Sequence, residues 1–170
     1  HLAGVKGVLL GGWAGLTPHA IDASTKEGKL LQLWAEKNVY EIDSCPHEWL
    51  FNQCRAVIHH GGAGTLAAGI RANCPTIVCA TQGDQPFNGS IVKNSGIGKY
   101  LGMIGSKTVT AQTIATSIQE VTTNDKIIAT SKSIGDKVKS EEGVVNAINF
   151  IDRMTATFSY PWPIKTRPND

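Results

Sequence analysis

The sequence predicts an α/β fold, a parallel sheet with helices on both faces. Three observations carry that expectation. Short apolar runs alternate with helical patterns along the chain, the mark of strand–helix–strand units. The clearest run, Ala56-Val57-Ile58, leads through His59, His60 and three glycines into a helical stretch ending at Arg71. Three polar turns, after Leu10, Ile58 and Ala80, all fall at strand carboxyl ends. Sheets of this kind bind ligands there, so the three turns can share one crevice.

In chain order, Val5 to Leu10 is a short buried strand ending at Gly11, Gly12 and Trp13. Ala14 to Gly28 has little periodicity and is expected as a long loop. Leu30, Leu31, Leu33 and Trp34 form either a short helix or a loop insert. Val39 to Ile42 is a second strand, ended by Cys45-Pro46 because a residue before proline is pushed toward extended geometry. His47 to Phe51 is a helical turn. After the central strand, turn and helix, Pro75 to Ala80 makes a fourth strand, and Thr81 to Pro86 a polar loop. Phe87 to Asn94 suits a helix and Gly96 to Leu101 an edge strand. Thr110 resembles a helix cap, with Ile114, Ile118 and Val121 at helical spacing behind it. Lys126–Val138 and Glu141–Met154 read as two further helices. The tail from Tyr160 to Pro168 is proline-rich and is expected to lie extended. The expected organisation is one domain over 1–158 and an extended tail over 159–170.

At 170 residues the chain is long enough to bury a core. Its net charge of +2 comes from scattered basic residues, so no nucleic-acid footprint is expected. The four cysteines, Cys45, Cys54, Cys74 and Cys79, form no CxxC pair and have no histidine at finger-like spacing. Buried free thiols of an intracellular protein are the expected reading, with no metal site. No apolar run reaches the ~20 residues that span a bilayer, and no signal-peptide pattern opens the chain. The first residue is His1 rather than Met, which suggests excision from something longer.

The turn Gly61-Gly62-Ala63-Gly64 leaves backbone N–H groups free at a helix N-terminus, where the dipole also favours negative charge. It is a phosphate seat. No Lys stands where a P-loop needs one. Gly62 and Gly64 begin a GxGxxG pattern, but Ala67 holds its third position. Asp84 lies roughly twenty residues on, so the turn alone leaves a dinucleotide site open. Alternation along the strand sends His59 and His60 to opposite sides, and His60 is the one expected to donate to a phosphate oxygen. Thr65 adds a hydroxyl donor. Asp84 and Gln85 pair a carboxylate with an amide, which matches vicinal sugar hydroxyls. Trp13 can stack on a base, cover a sugar, or pack into the core.

Taken together, Cys45-Pro-His-Glu-Trp-Leu-Phe51, His59-His-Gly-Gly-Ala-Gly-Thr65 and Gly83-Asp-Gln-Pro86 resemble the donor-binding half of GT-B glycosyltransferases. The similarity is greatest to the sterol 3-beta-glucosyltransferases, and it covers about Val39 to Leu101. The resemblance implies a Rossmann-like domain, the C-terminal half of a GT-B fold. It implies that Cys45 and His47 lie against uracil and ribose, and that His60, Ala63, Gly64 and Thr65 hold the diphosphate around a close turn at Gly62. Asp84 and Gln85 would take the glucose hydroxyls, and Trp13 would flank the donor pocket. Ser44 departs from the plant secondary-metabolite pattern, which has Trp there, and Ala14 to Gln32 match no pattern.

The expected function is therefore the UDP-glucose-binding domain of an inverting glycosyltransferase acting on a sterol or similar lipid hydroxyl, with no cofactor or metal. Its expected partners are the UDP-sugar, an N-terminal acceptor domain that carries the general base and is absent from this chain, and through it the lipid acceptor. No catalytic base is expected in this chain, and the chain alone should turn nothing over. The expected location is the cytoplasm, peripheral at membranes through absent regions. Two alternatives stay open: a soluble donor subunit of a split UDP-GlcNAc transferase, and a nucleotide-binding regulatory module. Loss of a covering domain would leave Trp13, Phe87 or the Pro-Trp-Pro tail exposed.

Overall fold

A run of five residues with every member buried, Thr76–Ala80, is the central strand β4 of the structure. The computed structural model describes residues 1–11 and 15–157. A strand buried on both faces cannot show polar alternation, which explains the continuous apolar sequence. Its parallel neighbours are β3 (Val57–His59) and β5 (Gly98–Met103), giving the order β3-β4-β5. A second parallel ladder pairs β1 (Gly7–Leu10) with β2 (Val39–Ile42), from Gly7 opposite Val39 to Leu10 opposite Ile42. The expected parallel α/β architecture is thus present as two hydrogen-bonded ladders. Side chains join them: Leu10 and Ile42 pack on the buried cluster of Leu50, Phe51, Val57, Ala68 and Cys74.

Helices cover both faces of β4. Val78 points into a cluster with Leu66 and Val92, supplied by α3 (Ala63–Arg71) and α4 (Gln85–Asn94). Ile77 and Cys79 point the other way, onto Val121 of α5 (Ala111–Thr123) and Ile127 of α6 (Asp125–Ser140). That opposition follows from the two-residue period of a strand. The buried thiol of Cys74 is pushed up to about 12 by loss of solvent and by Cys54 nearby. All four cysteines are free.

Two segments differ from the sequence expectation. The span expected as a long loop followed by a short helix or loop insert contains a 3₁₀ turn at Pro18–Ala20 and then a 13-residue helix α1, Lys26–Asn38. Thr25 starts it by accepting a hydrogen bond from the Gly28 amide at 3.0 Å. Leu30, Leu31 and Leu33 are exposed and only Ala35 is buried, so the helix buries little of the apolar surface its sequence carries. The edge strand β5 begins and ends later than expected. Its register shifts opposite Val78/Cys79, and the extra residue carries pairing on to Ala80 opposite Met103. Elsewhere the boundaries move by one to three residues; α2 is His47–Leu50.

The chain divides into two compact units, His1–Lys139 and Ser140–Asp170. The second contains α7 (Gly143–Thr157), which has no buried residue. The Tyr160–Pro168 tail lies outside the described residues.

Candidate functional site

The turn from β3 into α3 is shaped by contact with β4. Gly61 is buried at φ 95°, and a Cβ there would lie 2.7 Å from Val78 Cγ1 and 3.2 Å from the Gln85 carbonyl. Both the left-handed backbone and the lack of space require glycine. Gly62 then caps α3 without a side chain, and its carbonyl accepts the Leu66 amide at 2.9 Å. The amides of Ala63, Gly64 and Thr65 precede the first intrahelical bond and so have no acceptor within the helix. Ala63 and Gly64 are exposed and Thr65 is half-buried, and no acidic residue stands in the first turn. An uncapped positive helix end facing solvent is an anion seat.

The two histidines before it are placed differently. His59 is turned inward, and its Nδ1 accepts the Gly61 amide at 2.9 Å. That bond puts the proton on Nε2, which is buried without a partner. Burial, then the neighbouring His60 and His47, lower its pKa to about 4. His59 is therefore neutral at physiological pH and holds the turn. His60 is exposed, and its ring folds back over the glycine turn: a Cβ on Gly62 would lie 2.5 Å from His60 Nε2. The two rings stand at 84°, with centroids 6.3 Å apart.

The loop after β4 approaches the same turn. Asp84 is exposed at the start of α4, and Asn88 reaches from α4 to donate both to Asp84 Oδ2 at 3.0 Å and to the Gly61 carbonyl at 2.9 Å. Gln85 Oε1 accepts from the Thr81 amide and hydroxyl, each at 2.7 Å, and from the Gln82 amide at 3.0 Å. Its carbonyl oxygen is occupied within the loop, which leaves the NH₂ group to donate outward. The pair thus offers one carboxylate acceptor and one amide donor.

His47 begins α2 and stacks on Phe51, with centroids 4.9 Å apart and planes 11° apart. It is near enough to His59 for its charge to lower that pKa. Cys45 is half-buried and packs against the cluster that contains Leu50 and Phe51. Trp13 lies outside the described residues. The structure therefore joins His60, Gly62 and the α3 N-terminus to Asp84 through Gly61 and Asn88, and sets His47 beside His59. Sequence reasoning missed Asn88 and Thr81. The spacing of Asn88 four residues after Asp84 on a helix was the available signal; nothing local marked Thr81 as a partner of Gln85. Phe87, the next residue but one, is 68% exposed, as the sequence suggested. Among the described residues no group of three or more His, Cys, Asp or Glu could hold a metal ion, and no helix is long and apolar enough to cross a membrane.

Comparison with known proteins adds three findings. Residues 20–148 match the family model described as erythromycin biosynthesis protein CIII-like, C-terminal domain. The chain is 38% identical over 128 residues to a sterol 3-beta-glucosyltransferase of Yarrowia lipolytica, covering 75% of this chain and 8% of that protein. It is 36% identical over 143 residues to a sterol 3-beta-glucosyltransferase of Arabidopsis thaliana, covering 84% of this chain and 20% of that protein. The chain thus spans a small part of these relatives. Among solved structures it is similar in fold to the glycotransferase of kitacinnamycin, with a TM-score of 0.60 at 22% identity over 68% of this chain and 29% of that one. The glycosyltransferase VinC, solved in complex with DTDP, gives a TM-score of 0.61 at 18% identity over 70% of this chain and 29% of that one.

Proposed function

The chain belongs to the family of erythromycin biosynthesis protein CIII-like C-terminal domains, which are glycosyltransferase domains, and from that premise we propose that it binds UDP-glucose for an inverting transfer to a sterol or similar lipid hydroxyl. One observation supports this reading above the others. An uncapped helix N-terminus and an exposed carboxylate are tied together by one side chain, so that a diphosphate seat adjoins a hydroxyl-reading group. The identity to sterol 3-beta-glucosyltransferases supports glucose and a sterol as the transferred group and its acceptor. The DTDP complex of VinC supports a nucleoside diphosphate as the leaving group.

In this reading the amides of Ala63, Gly64 and Thr65, with His60, hold the diphosphate without a metal. Cys45 and His47 border the nucleoside, and Asp84 with the Gln85 NH₂ group takes glucose hydroxyls. The acceptor hydroxyl attacks the anomeric carbon on the face opposite the diphosphate, and UDP departs. As that bond breaks, negative charge grows on the leaving phosphate, where donors fixed in advance stabilise it without having to reorganise. The acceptor site and the general base belong to another part of the enzyme. The domain works in the cytoplasm and meets lipid through that other part.

Calorimetry on the full chain tests the proposal. UDP and UDP-glucose should bind, with UDP-glucose the tighter of the two, and NAD should not. Binding of NAD with no binding of UDP or UDP-glucose would overturn it.

A further inference from the structure

Resting on that reading of the site, we propose that Asn88 is a positioning residue that couples the diphosphate turn to the sugar loop without touching the ligand. Asn88 is buried, 9% exposed, whereas Asp84 is exposed. Its Nδ2 carries two protons and has two acceptors within reach, the Gly61 carbonyl at 2.9 Å and Asp84 Oδ2 at 3.0 Å. Its backbone amide also donates to the Asp84 carbonyl at 3.0 Å. Among the described residues Asn88 is the one side chain that hydrogen-bonds to the Asp84 carboxylate, and no cation pairs with it.

Two consequences follow from this geometry. With Oδ2 held, Asp84 presents Oδ1 to solvent as its free acceptor. With the Gly61 carbonyl held, the peptide between Gly61 and Gly62 is fixed in orientation just before the α3 amides that face the diphosphate. A single NH₂ group therefore sets the spacing between what reads the sugar and what seats the phosphate. Hydrogen bonds to a charged group in a partly buried site are among the stronger ones, so losing the donor should be felt mainly at Asp84, on the sugar side.

The test is a double-mutant cycle on the full chain, with Asn88→Ala, Asp84→Asn and the double variant, each titrated with UDP and with UDP-glucose. Circular dichroism controls for folding, and Asn88→Ser, which keeps one hydroxyl donor, replaces Asn88→Ala should the latter not fold. Asn88→Ala should weaken UDP-glucose about tenfold and UDP by less than about threefold. Once Asn88 is gone, Asp84→Asn should cost less than it does in the wild-type background, because Asp84 is then no longer held in place for the sugar. Equal weakening of both ligands, or additive effects of the two substitutions, overturns the coupling role and leaves the functional reading standing. A wild-type chain that binds UDP well but UDP-glucose no better overturns the sugar reading and the role of Asn88 with it.

Discussion

The His59 ring is half-buried with its Nε2 shut off from solvent, where a proton is costly to accept, and its pKa falls from 6.5 to about 4. The folded value lies below the unfolded one, so between the two the unfolded chain binds more protons. The stabilisation from neutral His59 is complete above about pH 6.5 and is lost as pH falls toward 4. It amounts to at most about 3 kcal/mol. Urea unfolding at pH 7.5 and pH 4.5 should show that loss, and His59→Asn, which keeps an acceptor for the Gly61 amide, should flatten it. Two residues on, Gly61→Ala forces a left-handed alanine against Val78. It should lower stability by about 2 kcal/mol and weaken UDP binding in the same titration, because the α3 amides move with the turn. The asymmetry between His59 and His60 was legible from strand alternation. The Asn88 bond to Gly61 was not, because its partners stand 27 residues apart and meet only once β3 and β4 pair.

Among the elements, those with complete local signals were the ones the sequence showed. Thr110 caps α5 in a reciprocal arrangement with Thr113, and the buried Ala115 and Val121 lie on the face it presents to the core. Thr110→Ala should cost about 1 kcal/mol, read as a lower thermal midpoint with ligand affinity unchanged. Helix α1 shows the opposite case. Thr25 caps it with a single bond and its leucines are exposed, so the sequence left open whether this stretch is a short helix or a loop insert. For α3 the missing side-chain cap is itself informative. Its first amides have no side-chain acceptor in a half-exposed turn, and the glycines that made the turn visible in the sequence are what leave them bare.

Across the whole molecule, the sheet separates stability from binding. Ile77 faces Val121 and Ile127 on one side of β4, while Val78 faces Gly61, Leu66 and Val92 on the other, the side of the proposed site. Ile77→Ala should therefore cost about 3 kcal/mol of folding free energy while leaving UDP affinity close to wild type at a temperature where the chain stays folded. The parallel architecture was legible because short apolar runs such as those of β1, β3 and β4 alternate with helical stretches. The break into the ladders β1-β2 and β3-β4-β5 was not, since nothing in a strand's own residues says which strands it pairs with. The central claim is that the turn after β3 and the loop after β4 form one nucleotide-sugar site. Amide chemical-shift mapping of the isotope-labelled full chain tests it most directly. UDP should shift the amides of residues 60–65, and UDP-glucose should shift those together with residues 81–85. Shifts from UDP-glucose that leave residues 81–85 unmoved, or that fall away from both segments, would contradict it.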